Sequence, residues 1–111
     1  MDKPHILVVC GKNKRRSKTA ECLFKNDSRI NIRSVGLSAK SERKISEKDL
    51  IWASLILVME TDHRARIKEL YRYMKLSKII VLNIPDIYNF MDSELVELLT
   101  QGINSAIDDY L

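Results

Sequence analysis

The stretch His5-Ile6-Leu7-Val8-Val9-Cys10-Gly11-Lys12-Asn13-Lys14-Arg15-Arg16-Ser17 decides how the chain reads. Its apolar run does not alternate with polar residues, as expected of a strand buried on both faces of a parallel sheet. The run ends on a thiol, a short polar loop follows, and Ala20, Leu23 and Phe24 then recur at helical spacing. A strand that delivers Cys10 into a turn of backbone N–H groups at a helix N-terminus stabilises a thiolate, and the same groups seat a phosphate. Five residues separate Cys10 from Arg16. That length lets the N–H groups converge above the thiol while the Arg16 fork returns to bind two anion oxygens. Gly11 and Asn13 tolerate the positive φ that such a curl demands. Ser17 suits the helix N-cap, and its hydroxyl is also in reach of the sulfur.

Working outward, apolar runs alternate with helical patterns. Residues 30–35, 55–59 and 78–82 read as strands, and Ser46 with Asp49 fits a capping box that opens a short helix with Leu50, Ile51 and Ala53 for burial. Thr61 reads as the cap of a helix with Ala65, Ile67, Leu70, Tyr71 and Met74 on its apolar side. Asp92 opens a last helix carrying Leu95, Val96, Leu99, Ile103, Ala106 and Ile107. The expected fold class is α/β: a three-layer sandwich with a four-stranded parallel sheet and helices on both faces, as one domain over residues 1–111. Ligands of such sheets sit at the C-terminal ends of strands near the point where strand order reverses. Cys10 and Asp86 both follow strands and so share one rim. Asp86 is then a candidate general acid, or simply a turn residue after Pro85.

The composition is that of an ordinary globular protein, with 45% apolar and 31% charged residues. No apolar run approaches the roughly 18 residues of a membrane span. The direct start into a strand implies no signal peptide, and two cysteines with Cys22 inside a helix imply a reduced, cytoplasmic protein. The net charge of +4 hides an asymmetry: residues 1–44 carry twelve Lys/Arg against four Asp/Glu. Lys12, Lys14, Arg15, Arg16 and Lys18 crowd the loop after Cys10. This draws anions to the thiol, or forms a solvated loop, or a nucleic-acid patch; composition leaves the three open. No metal-ligand spacing of His, Cys and carboxylates stands out, so neither metal nor cofactor is expected.

The segment from Ile6 to Phe24 resembles the active-site loop of the low-molecular-weight protein-tyrosine phosphatases, in particular their short bacterial branch. Ala53-Ser54-Leu55-Ile56-Leu57-Val58-Met59 is similar to that family's third strand, and Pro85-Asp86-Ile87-Tyr88 to its general-acid motif. The resemblance implies Cys10 as nucleophile, Arg16 as phosphate clamp and Asp86 as general acid and base. It further implies that Gly11, Lys12, Asn13, Lys14, Arg15 and Ser17 form the phosphate seat. Tyr88 either walls the substrate pocket or packs on the last helix. The implied substrate is a phosphorylated protein or a small aryl phosphate. The departures are specific: Arg15 stands where the family has a second, protective cysteine, Lys12 where it has Gly, Lys18 and Ile87 where it has Pro, and Asn89 where it has a second Tyr. They leave the phosphotyrosine preference open.

Three rival functions predict different residues. A phosphocarrier of the sugar phosphotransferase IIB type needs the cysteine but neither the clamping Arg16 nor a remote Asp86. Arsenate reduction on the same fold needs resolving cysteines late in the chain, and none follows Cys22. A phosphate- or RNA-binding module would use the basic loop without nucleophile or acid.

Overall fold

The computed structural model describes residues 3–12 and 15–111. Met1, Asp2, Asn13 and Lys14 lie outside the described residues, and with them the roles expected of Asn13 and Lys14 in the loop. The elements run β1 (His5–Cys10), α1 (Arg16–Phe24), β2 (Asn31–Gly36), α2 (Glu47–Trp52), β3 (Leu55–Val58), α3 (Thr61–Leu70), β4 (Lys78–Val81) and α4 (Ser93–Tyr110). The strands form one sheet in the order β2-β1-β3-β4, and every pairing is parallel. This is the three-layer α/β sandwich expected.

The uninterrupted apolar character of β1 has a direct cause. Ile6, Val8 and Cys10 face one core together with Leu55, Leu57, Ala20 and Phe24, and with Leu95, Leu99 and Ile103 of α4. Leu7 and Val9 face the other, with Ile56 and Val58, Leu50 of α2 and Ile67 of α3. A strand with both faces covered has no solvent side on which to place polar residues. The chain order reverses between β1 and β3, so a crevice opens at their C-terminal ends.

The two caps with a polar side chain at the right offset form as expected. Ser46 N donates to Asp49 Oδ2 at 3.0 Å, and Asp92 Oδ1 accepts from Glu94 N at 2.9 Å and Leu95 N at 3.4 Å. Ser17 is not a cap: α1 begins at Arg16, with Arg15 before it. Thr61 likewise falls inside α3, and Glu60 holds the N-cap position. Gly11 does not use left-handed backbone, and a Cβ there would meet nothing within 4 Å. The positive φ that Gly11 tolerates is therefore not used there.

Two helix faces differ from the pattern. Ile51 of α2 is 75% exposed, because six residues make under two turns and the face that meets the core carries Leu50, with Trp52 packed at its edge. In α3 the buried positions are His63 and Ile67, one turn apart, while Ala65 and Leu70 face out. A histidine thus occupies a core position that apolar periodicity assigned elsewhere. His5 stacks on half-buried Trp52 with ring centroids 4.5 Å apart, and the Arg33 guanidinium lies 4.1 Å above the same indole.

Leu99 is fully buried under the sheet. Leu99→Ala should lower unfolding free energy by about 2–5 kcal/mol in a urea titration, with an unchanged m-value.

Candidate active site

Cys10 is the last residue of β1, and its Sγ lies 2.9 Å from Ser17 Oγ in the first turn of α1. That contact explains why Ser17 cannot cap: its hydroxyl serves the sulfur seven residues back. Leu37 N donates to Cys10 O at 3.0 Å and Ser38 N to Gly11 O at 2.8 Å, extending the β1–β2 ladder past Cys10. The strand end that carries the thiol is therefore held on a paired backbone.

Arg16 is only 4% exposed, and a buried guanidinium needs partners for its donors. Its Nη1 donates to Glu60 Oε2 at 2.6 Å and to the Ile84 carbonyl at 2.7 Å. Both protons of Nη1 are then used, which leaves Nε and Nη2 for a ligand in the cavity that Arg16 helps line. Asp86 Oδ1 stands 3.7 Å from Arg16 Nε. Arg16 is thus gripped by groups that follow β3 and β4, and its orientation is set before any ligand arrives.

The segment bearing Asp86 is tied down on both sides. Ile84 N donates to Met59 O at 2.9 Å, and Met91 N donates to Thr19 Oγ1 at 3.1 Å. Thr19 is itself oriented by its 2.6 Å bond to Arg15 O. Asn83 and Met91, with φ of 58° and 62°, make the tight bends that reverse the chain there. Between these ties Asp86 reaches the rim with its side chain 60% exposed. It follows the end of β4 by a short loop and does not stand directly at the strand's end.

One cavity of about 160 Å³ is lined by Cys10, Gly11, Lys12, Arg15, Arg16 and Asp86. The structure therefore brings together the nucleophile, clamp and acid expected from sequence, with three of the loop residues. Tyr88 does not join them. It is buried in the core cluster shared with α4, so its reading as a pocket wall is corrected to packing. The exposed apolar residue beside Asp86 is Ile87.

Two residues at the site escaped the sequence reading. Glu60 sits just past β3, the strand beside β1 at the reversal point, and that position after a buried apolar run was the available signal. The Arg16 guanidinium holds the Glu60 carboxyl below the usual carboxylate range. His63 places Nε2 3.7 Å from the same Glu60 oxygen, while its Nδ1 has no hydrogen-bond partner among the described residues. Burial first, and the Arg16 charge second, push His63 below its usual pKa. No periodicity argument could have put it in the core.

Glu60→Ala should weaken inorganic phosphate binding about tenfold in a calorimetric titration, because a freed Arg16 no longer presents its Nε–Nη2 edge. Tighter binding would mean that Glu60 only neutralises charge. For His63 the sign follows from the lowered native value. The unfolded chain takes up its proton near pH 6.5 while the folded chain does not, so stability falls as pH drops through that value. From about pH 7.5 to about 5.5 the wild type should lose more melting temperature than His63→Leu. An equal loss would show that His63 does not carry the effect.

By sequence, no family model matches the chain and no curated protein matches it. Solved structures do. SP-PTP, a low molecular weight protein tyrosine phosphatase from Streptococcus pyogenes, superposes with a TM-score of 0.81 at 20% identity, covering 97% of this chain and 93% of its own. The tyrosine phosphatase Wzb from Escherichia coli K30, in complex with phosphate, gives 0.70 at 21% identity over 97% and 99%. The YwlE arginine phosphatase from Geobacillus stearothermophilus gives 0.70 at 20% over 96% and 94%. The chain has the fold of the low-molecular-weight protein tyrosine phosphatases.

Proposed function

We propose that the protein is a cysteine-dependent phosphomonoester hydrolase of the protein-tyrosine phosphatase type, working through a phosphocysteine intermediate. The observation that carries this reading is the single cavity onto which Cys10, Arg16 and Asp86 all open. Cys10 thiolate attacks phosphorus in line, and the bond from phosphorus to the leaving oxygen breaks as Asp86 gives that oxygen its proton. Charge gathering on the equatorial oxygens is met by Arg16 Nε and Nη2 and by loop N–H groups. Water then attacks the phosphocysteine, its proton passes to Asp86, and the sulfur leaves as thiolate with Ser17 Oγ hydrogen-bonded to it. Inorganic phosphate is released, and the enzyme returns to its starting protonation.

Fixed geometry supports this more than the nature of the groups does. Arg16 is oriented in advance by Glu60 and Ile84, so little reorganisation accompanies phosphate binding. A phosphate-storing carrier would have no task for Asp86 opposite the thiol, and a binding module none for Cys10. The substrates are phosphorylated proteins or small aryl phosphates. A thiol nucleophile that must stay reduced fits a cytoplasmic setting.

The test is aryl phosphate hydrolysis by wild type, Cys10→Ser and Asp86→Ala. Cys10→Ser should abolish turnover. Asp86→Ala should lower kcat about 10²–10⁴-fold with a phenol leaving group, and far less with a strongly acidic one. Full activity in Cys10→Ser would sink the mechanism, and retained activity in Asp86→Ala with phenyl phosphate would move the acid elsewhere.

A further inference from the structure

Among the described residues three cations line the cavity, and they differ in burial. Arg16 is enclosed and committed to Glu60 and Ile84, whereas Lys12 and Arg15 are exposed at the rim. Lys18, three residues after Arg15 in α1, pairs instead with Glu42. Among the described residues no carboxylate pairs with Lys12 or Arg15. Among the described residues no Phe, Tyr or Trp lines the cavity, and Tyr88 lies in the core. A site that gripped its substrate by the leaving group's ring would present one there. This rim presents ionic donors instead.

We propose that the substrate of this site carries a second negative charge beside the phosphate that is cleaved, held by Lys12 and Arg15. The inference rests on the phosphatase reading and deepens it. The phosphate itself goes to Arg16 and the loop amides. The two rim cations, pointing to solvent, meet what surrounds it: an acidic side chain flanking a phosphorylated residue, or the second phosphate of a small bisphosphate. Each exposed ionic contact is modest, so two together give about a tenfold preference. Such a preference weakens with salt as the screening length shrinks from about 30 Å at 0.01 M to about 8 Å at 0.15 M.

The experiment compares phosphotyrosine peptides with flanking Glu or flanking Ala, and a small bisphosphate with its monophosphate. Binding is read by competition on Cys10→Ser, and kcat/KM on the active protein. The expected result is about tenfold tighter binding and higher kcat/KM for the more anionic member of at least one pair. The preference should be lost in Lys12→Ala/Arg15→Ala and kept in the remote control Arg72→Ala/Lys75→Ala. The pair that responds identifies the source of the second charge. Equal binding of both members in both pairs, or a preference that survives Lys12→Ala/Arg15→Ala, overturns the proposal, and would mean that the rim cations serve only the phosphate. Absence of Cys10-dependent turnover with an intact binding preference would overturn the phosphatase reading alone.

Discussion

A buried guanidinium holds this structure's functional end together. Arg16 starts α1, yet its Nη1 bonds to Glu60 past β3 and to the Ile84 carbonyl past β4. One side chain therefore joins the ends of three parallel strands at the place where the chain order reverses. A cation so enclosed is costly unless its donors are satisfied, so the neighbouring loops are obliged to supply acceptors in fixed positions. The same obligation leaves one edge of the guanidinium unspent. Structural demand is met by one side of the group, and the other side lines the cavity.

The rest of the site follows from that anchor. Ile84 must turn its carbonyl inward to reach Arg16, and left-handed backbone at Asn83 makes this turn. The chain then emerges with Asp86 on the cavity that Cys10 also lines, before Met91 is tied back to α1 through Thr19. Asp86 lies in a span secured at both ends, which suits a group proposed to give and take a proton in one place. On the far side Glu60 is shared between Arg16 and His63. Protonation of His63 would place a second cation on that carboxylate and compete with the hold on Arg16, so a neutral, buried imidazole is consistent with the arrangement.

The rim tells a different story from the floor. The floor is built of a sulfur, a hydroxyl, a buried arginine and paired backbone, all with fixed geometry. The rim is built of Lys12 and Arg15, long exposed side chains on a short loop, with the exposed Ile87 next to Asp86. Chemistry needs positions held to fractions of an ångström, whereas selection among substrates works through adaptable charges.

What the sequence by itself determined was the set of elements and three groups, Cys10, Arg16 and Asp86, that come to line one cavity. Continuous apolar strands, the Cys10-to-Arg16 spacing, the Ser46–Asp49 box and the Asp92 cap are local patterns, and local patterns survive in a linear reading. Tertiary structure alone decided which neighbour each group meets. It spent Ser17 on the sulfur rather than on the helix end, buried Tyr88 where a pocket wall was expected, and left Gly11 in ordinary backbone. It also recruited Glu60 and His63, which are distant in sequence from Arg16 and follow no periodic rule. The physical reason is common to all of these. Burial creates demands for hydrogen bonds and volume that are met by whatever side chain the sheet order brings near, and sheet order is a property of the folded chain.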